Sequence, residues 1–412
     1  MLFKAFYYKM VALYHMIEIE KEVFMERKLL KVAVVADVLG QENNGTTIAG
    51  MNFIRSLKAK GHDVIIISPD QDKKGEPGHI VMPTWNFGIF NRYVAKNGVV
   101  IARVDHKLLE ETIKDVDIVH TMLAFSLGKA TAKITKKLGI PLTCGFHTQA
   151  ENITGHIKLM NSKVANRFTY KVLNNRLYKH VDGIHYPTAF SRDIFETVVG
   201  KTPAYVISNG VNKRFRYIPE LKDTNLLKTA AKYQIIFTGR LSKEKTHHIL
   251  IKALKYSQFK DDIQLVFAGD GPLENKIRKM GRKLKYPPII RFFTREEMVE
   301  VLNNSTLYVH PSEIEIEAIS CLEAISSGLV PVIANSKRSA TRYFALDEQN
   351  LFKNLDAKDL ARKIDYWLLN PDKRDERRQQ YLDYTKKFDH DYCMDQMEEM
   401  LYDVIANGKR KN

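Results

Sequence analysis

One repeated order of elements constrains the fold of this chain most: a short apolar run, a polar loop, a helical pattern and another apolar run. In its first occurrence, KVAVVAD (31–37) is followed by a glycine-containing loop, by apolar residues at helical spacing from Ile48 to Leu57, and by DVIIISP (63–69). Continuous apolar runs are typical of strands buried on both faces, and strands joined by a helix run parallel. The order therefore predicts a parallel α/β sheet.

The same order of elements occurs in both halves of the chain. In the first half, further strands are predicted over 116–122, 141–148, 183–187 and 204–210. A charged, irregular stretch follows from about 212 to 228, and the second half has predicted strands over 234–240, 264–270, 289–293, 307–312 and 330–336. We therefore expect two α/β sheets and a final helix that could belong to either. Because such sheets bind ligands at the carboxyl ends of their strands, two facing sheets would enclose one cleft.

Length and charge limit the classes of function. A chain of 412 residues is long enough for two or three domains that need no disulfide or metal to hold them together. Lys and Arg number 64 and Asp and Glu 48, and the net charge of +16 favours partners that carry phosphate, such as a nucleotide, an anionic lipid or a nucleic acid. No recognised DNA- or RNA-binding module is present in the sequence, so we expect no nucleic acid as a partner.

Cysteines and apolar runs indicate the compartment. The cysteines Cys144, Cys321 and Cys393 are widely spaced and odd in number, which favours a reducing cytosol over a disulfide framework. No run approaches the ~18 to 20 consecutive apolar residues of a spanning helix, so we expect no membrane span. Residues 1–24 have apolar side chains at helical spacing, and we interpret them as an extension upstream of Met25, with an interfacial helix as the alternative.

Glycines mark the loop DVLGQENNGTT (37–47) after the first strand, and a helix is predicted to start at about Thr47. Gly40 and Gly45 let the backbone approach a ligand, and a helix start offers free N–H groups to an anion. The loop fits neither GxGxxG nor GxxxxGK[ST], which disfavours a nicotinamide site or a P-loop. A tight turn and a phosphate or sugar contact both remain open.

Two cations follow the first strand of the second half, in FTGRLSKEK (237–245). The Arg240 guanidinium and the Lys245 ammonium lie around one turn and could together neutralise a diphosphate, although cations on a loop are usually only solvated. AGDGP (268–272), at the end of the next strand, is a second glycine turn whose simplest role is structural.

Carboxylates are concentrated in HPSEIEIEAISCLEAISSG (310–328), at Glu313, Glu315, Glu317 and Glu323. Glu315 and Glu323 lie eight residues apart, so if residues 316–326 are helical, the two lie about two turns apart on one broad face. Such a pair can accept hydrogen bonds from hydroxyls at two points of one ligand, and carboxylates at a helix start are also common caps.

Four motifs occur in a fixed order: ISNGV (207–211), GRLSKEK (239–245), AGDGP (268–272), and the pair Glu315 and Glu323 followed by GLVPV (328–332). In these motifs the chain resembles the GT-B glycosyltransferases of family four, which retain the α-anomeric configuration of a nucleotide-linked sugar. The resemblance covers most of the chain from about Lys31 and implies fold class α/β of GT-B type, with two Rossmann-like domains whose parallel sheets face an inter-domain cleft.

The resemblance also implies a division of the chain. An N-terminal extension would occupy 1–25, and an N-terminal acceptor-side domain 26–211, with the C-terminal helix at about 390–412 packed back on it. The nucleotide-sugar-binding domain would then occupy 212–389.

Roles for particular residues follow from the same resemblance. Arg240 and Lys245 would hold the donor diphosphate and stabilise the leaving group with no cofactor and no metal. Glu323 would accept hydrogen bonds from the ribose hydroxyls, and Glu315 from hydroxyls of the donor sugar. The rest of the implied donor-binding set comprises Gly45, Gly239, Gly271 and Ala318.

Some positions depart from the family's pattern. The family often has glycine where this chain has Ile316 and Ala318, and a second histidine where it has Met122. His120 is therefore the remaining candidate catalytic histidine of that segment, with a buried strand-end residue as the alternative. His147 and Glu151, after another predicted strand, form a candidate acceptor-side pair.

Positive charge is concentrated between residues 152 and 181, a segment that contains six Lys or Arg residues and no Asp or Glu. We predict a basic amphipathic helix over 158–179, in which Lys163, Arg167 and Lys171 form one stripe beside Val164, Phe168 and Tyr178. Such a helix would bind an anionic membrane surface, and an ordinary solvated face is the alternative.

The resemblance extends to diacylglycerol glucosyltransferases in residues 120–128 and 146–149 and in the basic helix. It implies a cytoplasmic enzyme at the inner face of the cell membrane that transfers a hexose from UDP-glucose or a similar nucleotide sugar to a lipid such as diacylglycerol. Alternative acceptors are lipid-linked or soluble glycans of capsule or cell wall, and a UDP-sugar epimerase is an alternative enzyme. The sequence predicts neither the donor sugar nor the oligomeric state.

Overall fold

The computed structural model describes residues 28–37, 39, 45–86, 88, 102–221, 224 and 226–409. The predicted extension over 1–25 lies outside the described residues, as do Gly40 and most of the loop after the first strand. Within the described part, the chain forms two parallel sheets that are covered by helices. The predicted α/β architecture is therefore confirmed.

The first sheet has seven strands in the order β3-β2-β1-β4-β5-β6-β7, and all its pairings are parallel. Its strands are β1 (Lys31–Val35), β2 (Asp63–Ser68), β3 (His79–Val81), β4 (Ile118–Thr121), β5 (Leu142–Gly145), β6 (Gly183–Tyr186) and β7 (Ala204–Val206). The helices described around it are α1 (Gly45–Ala59), α2 (His106–Ile113), α3 (Ser126–Leu138), α4 (Ala150–His156), α5 (Lys163–Arg176) and α6 (Ala189–Val199).

The second sheet has six parallel strands in the order β10-β9-β8-β11-β12-β13. Its strands are β8 (Tyr233–Thr238), β9 (Ile263–Ala268), β10 (Ile289–Arg291), β11 (Leu307–His310), β12 (Pro331–Asn335) and β13 (Leu351–Lys353). Its helices are α7 (His247–Leu254), α8 (Glu274–Gly281), α9 (Arg295–Asn304), α10 (Ile319–Ser326), α11 (Ala357–Leu369) and α12 (Pro371–Thr385).

The order of strands places the ligand sites of both sheets. In the first sheet successive strands are added in one direction up to the β1–β4 pair and in the opposite direction after it, and in the second sheet the same change occurs between β8 and β11. The loops that follow two such neighbouring strands diverge to opposite faces and leave a crevice at the carboxyl ends of the strands. In the second sheet, these loops are the two that carry Lys245 and Glu315.

Two strands were not predicted from the sequence, β3 and β13. Each has three residues and lies at an edge of its sheet, where it pairs with one neighbour only. β3 and β13 each contribute only three residues and a single pairing, which gives too short an apolar run to stand out in the sequence, whereas the other two edge strands, β7 and β10, were predicted.

The chain crosses between the two sheets twice, and the two crossings lie side by side. At this point the Val211 amide donates to the Phe388 carbonyl over 2.8 Å. The last helix, α13 (His390–Lys409), then returns to the first sheet, where Met397 and Leu401 are buried in one cluster with Val32 and Phe53.

Candidate active site

Two hydrogen bonds join the loops that follow β8 and β11 in the second sheet. The Glu313 amide donates to the Glu244 carbonyl over 2.8 Å, and the Thr246 hydroxyl donates to the Pro311 carbonyl over 2.5 Å. These bonds hold the turn that carries Lys245 against the loop that carries Glu315.

Lys245 and Glu315 form an ion pair at this junction. The two side chains are only 18% and 11% exposed, so water screens their charges weakly. Burial by itself would raise the pKa of Glu315, but the Lys245 ammonium and the hydrogen bond from His310 outweigh it and lower that pKa to about 2. Glu315 is therefore an anion at neutral pH.

His310 supports Glu315 from inside the domain. Its Nε2 lies 3.1 Å from Glu315 Oε1, and its Nδ1 lies 3.0 Å from the Tyr308 hydroxyl. An ionised carboxylate can only accept, so Nε2 carries the hydrogen and Nδ1 accepts from Tyr308. Sequence analysis missed this role of His310, although its place at the end of a predicted strand was a signal.

A cleft of about 350 Å³ lies above this pair and is lined by both domains. From the first domain it is lined by Gly45, Thr46, Ile48, His147, Asn152, Pro187 and Asn209. From the second it is lined by Gly239, Arg240, Glu244, Lys245, residues 314–320 and Glu323. Most of the donor residues predicted from the sequence thus line one cleft, together with His147, whereas His120, Glu151 and Gly271 do not line it.

Glu323 lies in α10, partly buried at the wall of this cleft. Burial raises the pKa of this carboxyl to about 7, although the Arg295 and Arg214 guanidinium groups oppose the shift. The helix begins at Ile319 rather than at 316, so Glu315 precedes it in an extended loop instead of sharing its face. The two carboxylates still face the same cleft.

Ala318 has a left-handed backbone, with φ 67° and ψ 67°, directly before α10. A residue with a Cβ atom pays roughly 1–2 kcal/mol for this conformation, whereas glycine adopts it freely. The family often has glycine at this place, and the local backbone shows the physical reason.

Gly271 does not line the cleft but lies where two loops pack closely against each other. A Cβ atom at Gly271 would lie 2.7 Å from both the backbone nitrogen and the carbonyl oxygen of Leu241. The Leu241 amide donates to the Asp270 carbonyl over 2.6 Å in the same contact. AGDGP therefore supports the turn of Arg240 and Lys245 from behind.

His120 is buried beneath the cleft, with Nδ1 2.9 Å from the Thr143 hydroxyl and its ring against the edge of Phe53. Burial and the neighbouring His185 lower the pKa of His120 to about 3, so this imidazole is neutral. A catalytic role for His120 stays a prediction.

His147 reaches the cleft by packing on a glycine. A Cβ atom at Gly145 would lie 2.2 Å from His147 Nε2, so only glycine leaves room for this ring. Burial, with smaller contributions from His185 and His120, lowers the pKa of His147 well below its usual value. Its predicted partner Glu151 accepts a hydrogen bond from the Tyr170 hydroxyl over 3.3 Å. Their acceptor-side roles stay predictions.

Among the described residues, no group of three or more His, Cys, Asp or Glu side chains is arranged to hold a metal ion. In the same part of the chain, no helix is long and apolar enough to cross a bilayer.

Exposed apolar and basic side chains are concentrated in α5 and in the turn between α4 and α5. The exposed fractions of Val164 and Phe168 in α5 are 80% and 67%. Ile157 and Leu159, in the preceding turn, are also exposed. The exposed cations beside them are Lys158, Lys163, Arg167 and Lys171. These eight residues are called the basic-apolar patch below.

The predicted helix over 158–179 is wrong in two respects. Residues 158–162 form turns and α5 ends at Arg176. Tyr178, predicted on the exposed face, is instead buried against Phe146, with ring centres 5.5 Å apart. Its ring completes the core beneath β5, which sequence spacing does not reveal.

Comparisons with known proteins agree with this architecture. Residues 220–388 match the family model described as glycosyl transferases group 1, and residues 44–215 match the model described as glycosyltransferase family 4. The chain belongs to this group 1 family of glycosyltransferases with the GT-B fold, which confirms the family resemblance seen in the sequence motifs.

Individual proteins show how far the similarity extends. The chain is 26% identical to alpha-monoglucosyldiacylglycerol synthase of Streptococcus pneumoniae, over 74% of this chain and 71% of that protein. The structure of Anabaena Alr3699/HepE in complex with UDP matches with a TM-score of 0.72 at 15% identity, over 91% of this chain and 100% of that one. The catalytic domain of the cholesterol-alpha-glucosyltransferase from Helicobacter pylori is 46% identical over 38% of this chain and 99% of that chain, with a TM-score of 0.37.

Proposed function

We propose that this glycosyltransferase moves a hexose from a nucleotide sugar, UDP-glucose or a similar donor, to a hydroxyl of a membrane lipid such as diacylglycerol, with retention of the α configuration. The observation that carries the proposal is the Lys245–Glu315 ion pair in a cleft lined by both domains. A diphosphate bound there would meet the Lys245 ammonium, and the hydroxyls of its sugar would meet the Glu315 carboxylate beside it.

On the donor side, Arg240 and Lys245 would neutralise the diphosphate, and Glu323 would accept hydrogen bonds from the ribose hydroxyls. Preorganised cations stabilise a diphosphate best when its negative charge grows as it leaves. Lys245 already has Glu315 as a partner, so a bound diphosphate would share this ammonium rather than meet it in water. Glu315 would then orient the sugar hydroxyls. No cofactor or metal enters this proposal.

The reaction would take place on one face of the sugar. The bond between the anomeric carbon and the β-phosphate oxygen breaks, and the acceptor oxygen bonds to the same carbon from the same side. The acceptor's proton passes to the departing phosphate oxygen, so no protein base is required. Lys245, beside that phosphate, would lower the free energy of the departing anion.

The acceptor side is supported by the position of the basic-apolar patch. Asn152 lines the cleft, and Ile157 of the patch follows it by five residues along α4, a rise of about 8 Å. Each Lys or Arg near an anionic lipid surface contributes about 1 kcal/mol, and exposed apolar side chains add burial in the interface. The patch would therefore seat the cleft at the cytoplasmic face of a membrane, where a lipid hydroxyl can reach it.

The relatives give this proposal independent support. The protein from Streptococcus pneumoniae is named for synthesis of a glucosylated diacylglycerol, and the Anabaena structure contains UDP. A lipid acceptor for this chain agrees with the exposed patch, and a nucleotide-linked donor agrees with the cations of the cleft.

The test is nucleotide release from a panel of UDP- and GDP-sugars, with and without anionic vesicles that contain diacylglycerol, together with product analysis. We expect release that depends on vesicles and yields an α-glycosyl lipid. A parallel vesicle set carries a sterol in place of diacylglycerol, because a sterol also presents one hydroxyl at the membrane surface. Transfer only to a sterol, or only to lipid-linked or soluble glycans, would identify that molecule as the acceptor in place of diacylglycerol. Conversion of the sugar without any acceptor would instead favour an epimerase.

A further inference from the structure

Three glutamates alternate along the loop between β11 and α10, and each has a different partner. Glu313 pairs with Arg338 and Glu315 with Lys245, while Glu317 accepts hydrogen bonds from Ser208 and Asn209. Only Glu315 is explained by the donor chemistry above. Glu317 contacts the other domain directly, and Glu313 is linked to it through Arg338.

Glu317 is buried, with 3% of its surface exposed, and both of its oxygens are hydrogen-bonded across the domain boundary. Oε1 accepts from the Ser208 hydroxyl, and Oε2 accepts from Asn209 Nδ2 over 2.5 Å and from the Asn209 amide over 3.2 Å. Burial raises the pKa of Glu317 to about 7, although these donors oppose the shift. Without them, a buried carboxylate would have no polar partner to replace water.

The partners of Glu317 lie at the first crossing between the domains. Ser208 and Asn209 precede Gly210, where a Cβ atom would lie 2.9 Å from His390 Cα of the second crossing. The next residue, Val211, bonds to the Phe388 carbonyl over 2.8 Å. A change in the angle between the domains must bend these two neighbouring segments, so Glu317 contacts the connection itself.

The other side of the loop is also attached to the first domain. Arg338 donates from Nη2 to Glu313 over 2.8 Å and from Nη1 to Asn161 Oδ1 over 2.8 Å. Between the two glutamates, the Thr188 hydroxyl donates to the Ile316 carbonyl over 2.8 Å. Contacts with the first domain thus flank Glu315 on both sides.

We propose that Glu317 is a positioning residue that couples closure of the two domains to the placement of Glu315 for donor-sugar transfer. Opening of the domains separates Glu317 from Ser208 and Asn209, and the carboxylate must then regain hydrogen bonds from water, which moves the loop that holds Glu315. In the proposed function, the charged side chains that hold the nucleotide, Arg240, Lys245 and Glu323, all belong to the second domain. Closure therefore governs transfer more than nucleotide affinity.

Glu317→Gln tests this coupling at pH 8, where Glu317 is mostly ionised. Gln keeps the size of the side chain but loses the charge and one of the two acceptor oxygens. Its N–H group must face either Asn209 Nδ2, which is itself a donor, or the Ser208 hydroxyl, which must then accept instead of donate. We expect the rate constant kcat for nucleotide release to fall at least about tenfold, with the Kd of UDP changed less than about twofold. Glu376→Gln, on an exposed side of α12, is the control for loss of one negative charge and leaves both constants unchanged.

Ser208→Ala removes a partner of Glu317 from the other domain. If the two residues act as one contact, the double variant Glu317→Gln/Ser208→Ala is no slower than the slower single variant. Should Glu317→Gln fail to fold, Ser208→Ala by itself must still lower kcat without a matching loss of UDP affinity. A kcat within twofold of the native protein in both single variants would overturn the proposal. So would a loss of UDP affinity equal to the loss of kcat.

This inference rests on the proposed function only for its rate measurement. Small-angle X-ray scattering with UDP gives a second, independent measurement, in which Glu317→Gln should have a larger radius of gyration than the native protein. Equal radii would contradict the coupling even if transfer activity is found. Failure of the native protein to bind any nucleotide would instead contradict the proposed function. The coupling would then be tested by comparing the radii of gyration of the native protein and Glu317→Gln without ligand.

Discussion

His310 Nε2 lies 3.1 Å from Glu315 Oε1, the oxygen that also accepts the Lys245 ammonium. The ring is buried and burial lowers the pKa of His310, so the imidazole is neutral and its Nε2–H group keeps donating to Glu315 while Lys245 responds to a ligand. Glu315 therefore keeps one partner from β11 even when a diphosphate competes for the other. His310 thus holds Glu315 in place, whereas Lys245 compensates the charge of the ligand, and separate variants of His310 and Lys245 should have different effects.

Replacement of His310 by Phe should impair the donor sugar site more than the nucleotide site. Phe keeps the ring volume but removes one donor from Glu315, at a cost of about 1–3 kcal/mol. It also removes the His310 acceptor of the Tyr308 hydroxyl, which keeps the Thr238 hydroxyl 3.1 Å away as a partner. We expect kcat/KM to fall about tenfold or more while the Kd of UDP is unchanged. The double variant His310→Phe/Tyr308→Phe should regain stability but not activity, and recovery of activity would contradict a role for His310 through Glu315.

Replacement of Lys245 by Ala should lower kcat by about a hundredfold or more, because the cation proposed for the leaving diphosphate is lost. Lys243→Ala is the matched control, since Lys243 is exposed in the same turn. Nucleotide release from the two variants measures the difference. Equal rates for both variants would remove Lys245 from the leaving-group site.

Affinity for the donor should depend on pH through Glu323. Burial raises its pKa to about 7 in the empty cleft, whereas ribose hydroxyls donate to the ionised form. The carboxyl must therefore lose a proton on binding below pH 7, and the Kd should rise by up to about tenfold per pH unit as the pH falls. Titration calorimetry from pH 5.5 to 8.5 measures this slope. In Glu323→Gln the slope should be absent and the Kd at pH 8 weaker; a slope that persists would assign it to another group.

Ala318→Gly should stabilise the protein, because glycine adopts the left-handed backbone of this position without strain. A gain of about 1 kcal/mol corresponds to a rise in Tm of about 2–4 °C for a domain of this size. Ala324→Gly, inside α10, is the matched control and should lower Tm by a similar amount. A lower Tm for Ala318→Gly would show that the methyl group contributes packing that exceeds the strain.

The basic-apolar patch should bind vesicles through both of its components. Val164→Ser/Phe168→Ser removes apolar burial worth about 1.5–3 kcal/mol per side chain, so binding to anionic vesicles should weaken at least tenfold. Lys163→Glu/Lys171→Glu should also weaken vesicle binding. At high salt this charge variant should bind like the native protein, whereas the apolar variant should still bind more weakly. Co-sedimentation with vesicles measures both. The exposed Tyr256 of the other domain supplies the control Tyr256→Ser, which should bind normally.

Much of the fold was predictable because burial on both faces leaves a direct mark on the sequence. Every strand predicted from an apolar run is present, and the unpredicted β3 and β13 are three-residue edge strands. Tyr178 was misplaced because helical spacing does not show where a helix ends, and α5 ends at Arg176. The ring of Tyr178 then turns into the core.

By itself the sequence determined the two parallel sheets, the family, and the loops that carry Lys245, Glu315 and Glu323, because these depend on local apolar patterning and on short motifs. Only the tertiary structure decided that His310 supports Glu315 and that Glu317 binds Ser208 and Asn209 of the other domain. The physical reason is that both contacts depend on how the chain folds back on itself. Glu317 and its partners lie about a hundred residues apart in the sequence, and His310 and Glu315, although only five residues apart, meet through the path of a loop that apolar spacing does not show.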